Sequence, residues 1–558
     1  MMGIKLKMNS DAANIYKRIC RMISSKIKFD ESKNLLNNFY PTNNVKEITN
    51  RQNYLKRMFD KIGDIKIGFI KSINFNFKRL NDRILVVSED ELKDALELNL
   101  CDVDTEPIKG YPLVLSTQGF GIDVDDISVF EISPETIVQT LYNNRDVLVE
   151  VNRIMGSLNK TSVVQNILLE IEKIEDVFEK QRFIEDIDEM LQSKLSEIKK
   201  AIEDKIKDEK IVLSGREILD YLSNKKSPKL SKFEEYAIEE IMKAERDICK
   251  KLGVNAEVLS KEIFPEINFR EVERLKIELE KEFVVERYLK SREIVRRIKN
   301  LLPELEEELR LVYEVELVRA LKEFFSCYNW CFPSFNNKIS FEVAYNLFIQ
   351  NPQPISYFID AEDVVVLTGA NSGGKTSLLE LIAQIQLLAQ MGLPVPAKNA
   401  MIDVVDEIFF FKRKKTAYNA GAFESTLKSF TSALVSDNKK LVLIDEFEAI
   451  TEPGAAVKII SEFLRMGYEK RFYMIVVSHM GEELRLNLDF VRVDGIEARG
   501  LDDNLNLIVD RQPKIGIVGK STPELVVERL FRLSKGKRKE ILKRILEVFG
   551  DKSGDDRS

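Results

Sequence analysis

The alternation of apolar and polar positions changes character twice along the chain. Over roughly the first 135 residues, helical spacing and short β-like runs are mixed. Residues 12–24 and 45–62 repeat apolar side chains every three or four positions, whereas 83–88 and 111–116 are compact apolar runs, followed by a Gly119-Phe120-Gly121 turn. This predicts a mixed, mostly helical N-terminal core module over 1–135. From 136 to 330 the three-and-four spacing dominates. Ile167, Ile171, Ile174, Phe178, Ile184, Ile187, Leu191, Leu195, Ile198, Ile202 and Ile206 make one narrow stripe with Glu and Lys between them. A long helix of coiled-coil type is expected there. Breaks follow at Gly215 and around 223–228. A second helical run then covers 269–327, interrupted by Pro303. Two long runs joined by a polar region predict an arm that goes out and returns, as a lever or clamp; an ordinary helical bundle has the same spacing.

From 331 to 515 strands alternate with helices. The runs 364–368, 441–446 and 472–479 are short, rich in β-branched residues, and end in polar side chains. They fit buried parallel strands of an α/β sheet, whose carboxyl ends carry the site. The remaining segment, 516–558, reads as two short helices. Thr522-Pro523 supplies a cap and first turn, Gly536 separates the helices, and Gly550 ends the second.

Composition narrows the partners. The 558 residues carry 85 Lys and Arg against 92 Asp and Glu, a net charge of −7, so any contact with nucleic acid needs a local basic patch. Cys20, Cys101, Cys249, Cys327 and Cys331 are sparse and odd in number, as expected in a reducing compartment. Cys327 and Cys331 flank Trp330, but the chain has one histidine, so buried structural cysteines are expected rather than a metal pair. No signal-peptide pattern opens the chain and no window holds 18 apolar residues. A cytoplasmic location without a membrane partner follows as the expectation.

Three motifs carry chemistry. Gly369-Ala370-Asn371-Ser372-Gly373-Gly374-Lys375-Thr376 fits GxxxxGK[ST] at every fixed position, after a predicted strand and before the helical run 377–391. Glycines there let backbone N–H groups face phosphate oxygens, and the helix N-terminus adds its dipole. Lys375 is placed to reach the β- and γ-phosphates of ATP, and Thr376 to ligate Mg²⁺. Leu441-Val442-Leu443-Ile444-Asp445-Glu446 is an apolar strand ending in two carboxylates: Asp445 for the metal, Glu446 to orient or deprotonate the attacking water. His479, the single histidine, ends the run 473–478 and is expected to sense the γ-phosphate or the water. The fold class expected is therefore an α/β P-loop NTPase domain over 331–515. It is preceded by the helical lever or clamp over 136–330 and the N-terminal module, and followed by the tail 516–558.

The run 368–397, TGANSGGKTSLLELIAQIQLLAQMGLPVPA, resembles the ATPase domain of the MutS family. Further matches follow in order. Ser425-Thr426 resembles the family's signature pair, which implies that Ser425 acts in trans on the γ-phosphate bound by a partner subunit. Asp445-Glu446 and His479 resemble the Walker B and switch-histidine positions. Phe348-Ile349-Gln350-Asn351-Pro352 resembles the segment whose aromatic lies near adenine. Thr451-Glu452-Pro453-Gly454-Ala455-Ala456 looks like a loop of the MutS-two branch, although Phe447-Glu448-Ala449-Ile450 replaces the glycine-rich turn that branch carries there. The resemblance covers roughly 340–535 and implies a homodimeric ATPase that binds DNA without sequence preference.

Two absences shape that expectation. Phe29-Asp30-Glu31 has the letters of the mismatch-reading motif without a domain around it, and no histidine-bearing nuclease module follows the ATPase; neither mismatch recognition nor endonuclease activity is expected. DNA contacts are expected from Lys225, Lys226, Lys229 and Lys232 near the turn of the arm, with 412–415 and Lys535, Lys537, Arg538 and Lys539 as other basic runs. An RNA- or ribosome-associated ATPase on the same scaffold is the alternative. An SMC-like structural ATPase is disfavoured because its arm would lie between the two Walker motifs, and a transporter ATPase because LSGGQ is missing.

Overall fold

Short, mostly apolar strands, buried along almost all of their length, build the sheet that carries the motifs. The computed structural model describes residues 5–63, 65–208, 214–216, 228–252, 257–261, 265–360, 363–369, 374–412, 420–446, 453–501, 507–519 and 523–550. Contacts divide the chain into two units, Met1–Ile67 with Arg310–Ser558, and Gly68–Leu309.

In the first unit six strands form one parallel sheet: β1 (Lys7–Met8), β2 (Val364–Gly369), β3 (Glu407–Phe411), β4 (Lys440–Asp445), β5 (Tyr473–Val477) and β6 (Val491–Ile496). Their order across the sheet is β1-β3-β4-β5-β2-β6. Successive side chains alternate between the faces. Val364, Val366, Val442, Ile444, Met474 and Val476 pack with Phe430, Ile460, Phe463 and Leu484 of helices Ala420–Leu434, Pro453–Glu469 and Gly481–Asn487. Helix Lys375–Met391 packs on β2, β4 and β5. A four-stranded, largely antiparallel sheet stands beside this one, in the order Ser334–Phe335, Asn399–Ile402, Lys338–Ala344, Ile355–Asp360.

Helix Lys375–Met391 is buried along almost its whole length, glutamines included. Buried amides are tolerable only when hydrogen-bonded. Gln390 Nε2 donates to Thr42 O and Val405 O, both at 2.9 Å; Gln386 Nε2 donates to Asp403 O at 2.8 Å; Gln384 Nε2 donates to Asn346 Oδ1 at 2.9 Å. These amides fasten loops and the N-terminal segment to the helix.

The expectation of one module over 1–135 is corrected by these contacts. β1 adds an edge strand beside β3, with Lys7 opposite Glu407 and Met8 opposite Ile408. Asn9 then accepts from Ala12 N and Phe410 N, both at 3.1 Å, and donates to Phe410 O at 2.8 Å. One side chain thus caps helix Ser10–Ser24 and extends the ladder on β3. A two-residue strand has no readable period, so the sequence pattern hid it. Phe29 of the Phe-Asp-Glu run is a buried aromatic against Tyr313, 6.3 Å between ring centroids.

The second unit holds a small parallel sheet, in the order Asp102–Asp104, Arg83–Val86, Leu113–Ser116, Ile122–Asp123, together with helices. The stripe beginning at Ile167 does not form one long helix. It is split into Val164–Ile171, a 3-10 turn at Glu172–Ile174, Glu175–Glu185 and Ile187–Asp208. The step from Phe178 to Ile184, inside helix Glu175–Glu185, falls about 120° short of two turns, so the stripe changes face just before the chain breaks at Asp186. Ile187, Leu191, Ile198 and Ile202 pack against Ala237 and Ile241 of helix Pro228–Leu252 and Val272, Leu275 and Leu279 of helix Phe269–Ile298. The second run is also divided, by a 3-10 turn at Lys299–Leu301, with Pro303 in the first turn of helix Leu302–Ser326.

Replacing Asn9 by alanine removes a cap and leaves the Phe410 N–H and C=O without partners. It should destabilise the first unit by about 2–3 kcal/mol, read as a lower urea midpoint at unchanged slope.

Candidate nucleotide site

The site lies at the carboxyl ends of β2, β5 and β4. β2 ends at Gly369, whose φ is 118°; a Cβ there would stand 2.0 Å from Ile496 O, so no side chain fits. Residues 370–373 of the glycine-rich loop lie outside the described residues. Gly374, at φ 89°, opens helix Lys375–Met391. Lys375 is buried and its Nζ donates to Gly369 O at 2.5 Å, so the ammonium is folded back along the loop. The Thr376 hydroxyl donates to the Asp445 carboxylate, 3.0 Å from each oxygen.

Sheet order decides what lies between these groups. β5 separates β2 from β4, so His479, two residues past β5, falls beside Glu446. His479 Nε2 is 3.5 Å from Glu446 Oε1. Glu446 has φ 48° and its N–H donates to Val477 O at 3.1 Å. A left-handed conformation costs a non-glycine residue about 1–2 kcal/mol, and here it turns the carboxylate off the strand axis toward the histidine.

Asp445 is 5% exposed. Burial raises its carboxyl above the usual carboxylate range and the Glu446 charge adds to this, while the Thr376 hydrogen bond pulls the other way. A buried carboxylate beside a hydroxyl, both hard oxygen donors, is a set suited to Mg²⁺. The residues present fit that ion.

Phe348 is half-buried and held from both sides. Its N–H donates to Asn346 Oδ1 at 2.9 Å, and Asn346 Nδ2 donates to Ser377 O at 2.7 Å, next to Thr376. Leu347 N donates to Gln384 Oε1 at 2.9 Å. The Arg18 guanidinium lies 3.9 Å from the centre of the Phe348 ring. The segment is thus tied to the first turns of helix Lys375–Met391.

Several contributors escaped the motif reading. Thr368 Oγ1 donates to Asp494 O at 3.1 Å and accepts from Gly519 N at 2.7 Å. A Cβ on Gly519 would meet Gly369 Cα at 2.9 Å and Gly495 Cα at 3.0 Å. Three glycines therefore let the segment around 516–519 cross against the end of β2. Asp494, fully buried, accepts from Tyr357 Oη at 2.6 Å, from Arg492 Nε at 3.2 Å and from Gly516 N at 3.0 Å, and burial raises the Tyr357 phenol. Arg511 lies over Gly374; a Cβ there would be 3.4 Å from Arg511 Cδ. The site thus runs past the boundary expected at 515, and the glycine spacing 495, 516, 519 was the available signal.

Most of the other expected residues lie wholly or partly outside the description. Ser425 lies on helix Ala420–Leu434, its side chain outside the description. Lys225 and Lys226 lie outside the described residues; Lys229 and Lys232 lie on helix Pro228–Leu252, their side chains likewise outside. Lys412 is paired with Glu380 at 3.0 Å, and 413–415 and 447–452 lie outside the described residues. The cysteine expectation is corrected: Cys327 is exposed at a helix end and Cys331 half-buried, its thiol pushed up to about 11 by burial. No helix among the described residues is long and apolar enough to cross a membrane.

Comparison with known proteins agrees with this geometry. The family model described as MutS domain V matches residues 365–521, which includes the 516–519 crossing. DNA-binding protein MutS2 of Pyrococcus furiosus is 44% identical over 567 residues, covering 98% of this chain and 100% of the relative. Endonuclease MutS2 of Clostridium botulinum (strain Langeland) is 30% identical over 244 residues, which is 40% of this chain and 29% of that protein. Endonuclease MutS2 of Fusobacterium nucleatum is 26% identical over 257 residues, 43% of this chain and 32% of that protein. With a full-length relative at that identity, and a MutS ATPase domain holding both Walker motifs, the chain belongs to the MutS2 family.

Proposed function

We propose that the protein hydrolyses ATP with Mg²⁺ as a homodimer and uses the reaction to move a helical clamp on DNA bound without sequence preference. The observation that carries the hydrolytic part is the Thr376–Asp445 contact, with the Glu446–His479 pair at its side. Lys375 takes the β- and γ-phosphates, Gly369 to Gly374 supply backbone donors, and Phe348 with Arg511 bounds the nucleotide. Mg²⁺, held by Thr376 and Asp445, supplies charge neutralisation of the phosphates. Glu446 orients and deprotonates the attacking water, and His479 steadies that carboxylate or the γ-phosphate. Ser425 completes the site of the partner subunit.

The tail supports the dimer. Helices Pro523–Leu533 and Lys537–Gly550 pack on one another. They leave Val526, Leu530, Leu533, Ile541, Ile545 and Val548 exposed. These lie at helical spacing, a face suited to a second copy of the same hairpin. The DNA partner is proposed from the name of the Pyrococcus furiosus relative and the family resemblance. The endonuclease name of the bacterial relatives is not carried over, because the shared part is 29% of the Clostridium botulinum protein.

Three outcomes follow. Lys375→Ala should abolish measurable ATP binding, and Glu446→Gln should retain it while lowering turnover about 100-fold or more in a phosphate-release assay. Normal turnover in Glu446→Gln overturns the assignment of the base. Leu530→Glu combined with Ile545→Glu should sediment as a monomer in ATP, where the wild type sediments as a dimer; a dimer of unchanged stability moves the interface elsewhere. Gel shift should give equal affinity for matched and mismatched duplexes, falling steeply with salt, with a slope of about −0.9 per phosphate neutralised. Preference for RNA in the same assay would support the alternative partner.

A further inference from the structure

In the second unit, residues 69–79 run between two anchors. Gly68 N donates to Glu150 Oε1 at 2.6 Å, and Leu80 N donates to Leu100 O at 2.7 Å. Between them the chain enters no helix or strand, and within the described residues no hydrogen bond reaches a backbone group of 69–79. The segment is nonetheless fixed. Ile70 is buried, and Phe77 packs on the core of the small sheet.

What it presents outward is unusual for a connection. Phe69 is 73% exposed, and Phe75 is half-buried with its ring 6.3 Å from that of Phe77. Lys71 and Lys78 are exposed and have no carboxylate partner among the described residues, whereas Arg79 is engaged by Asp102. Residues 65–81 contain no Asp or Glu, in a chain that holds 92 of them. A segment that merely joins two units is served by Gly, Ser, Pro or charged residues. Here aromatic rings alternate with free cations on an open backbone, and acids are excluded.

We propose that residues 69–79 form a binding surface for single-stranded nucleic acid. Bases stack on Phe69 and Phe75, and phosphates pair with Lys71 and Lys78. Exposed Asn74 and Asn76 offer hydrogen bonds to either. The aromatic faces select a single strand, because in a duplex the faces of the bases are already stacked on one another; the lysines alone would serve a duplex equally. Stacking of this kind tolerates any base, which agrees with binding that ignores sequence. The inference rests on the nucleic-acid part of the function proposed above and gives it a surface independent of the lysines around 225–232.

The test is fluorescence anisotropy of the full chain with labelled oligothymidylate, longer than the ~4–16 nucleotides one such site covers, beside a matched duplex of equal length. Phe69→Ala should weaken oligothymidylate binding about 10-fold and duplex binding less than about twofold, and Phe69→Trp should retain the wild-type affinity. Lys71→Ala with Lys78→Ala should flatten the salt slope for the single strand by about 0.7 per lysine. Phe69 is so exposed that its removal leaves the fold intact, which unchanged thermal melting verifies. Unchanged oligothymidylate affinity in Phe69→Ala, or equal losses for single strand and duplex, overturns the proposal. A wild type that binds neither nucleic acid overturns the nucleic-acid reading itself, whereas a wild type that binds and variants that match it overturn only this surface.

Discussion

The Thr376 hydroxyl, on the helix that follows β2, and the Asp445 carboxylate, at the end of β4, come from the ends of strands that are not neighbours. β2 and β4 stand about 10 Å apart with β5 between them, at the ordinary spacing of strands in a sheet. The two groups meet at 3.0 Å because the turn at Gly374 starts helix Lys375–Met391 over the end of β5. The order of strands, the left-handed glycine and the helix start are therefore one constraint. With β5 interposed, the hydroxyl, both carboxylates and the imidazole converge without any long loop.

That convergence explains which parts were legible in the sequence. Gly369 to Thr376, Asp445-Glu446 and His479 are contiguous letters at strand ends, and the resemblance to MutS gave them an order. Features that depend on distant pairing left little trace. β1 is two residues long and shows no alternation. Gly519 matters because it touches Gly369 across 150 residues of chain. Gln384, Gln386 and Gln390 looked like part of a signature; their amides are in fact the fasteners of buried loops. The stripe from Ile167 onward was legible as helix, but the 3-10 turn at Glu172–Ile174 and the break at Asp186 keep the three-and-four spacing on either side and leave no mark in it.

The fasteners also define what moves together. Helix Lys375–Met391 is tied to Thr42 through Gln390, to the 346–348 segment through Gln384, and to Asp403 through Gln386. Helix Ser10–Ser24 is tied to β3 through Asn9 and covers Phe348 with Arg18. A nucleotide bound at Phe348 and Lys375 would therefore contact a cross-linked block tied together by buried hydrogen bonds. Displacing one member strands the others at about 1–3 kcal/mol each, so the block responds as a body.

A second set of ties lies along the Walker B strand. β4 carries Asp445 at one end and Lys440 at the other. Lys440 is fully buried; its Nζ donates to Ala433 O at 2.6 Å and Ser436 O at 2.7 Å, and burial pulls its ammonium below the usual lysine range while Glu407 opposes that. This lysine holds the carboxyl end of helix Ala420–Leu434 to the foot of the Walker B strand. Removing that ammonium would leave the Ala433 and Ser436 carbonyls without it at about 1–3 kcal/mol each, so the end of this helix and the strand that leads to Asp445 are held as one piece.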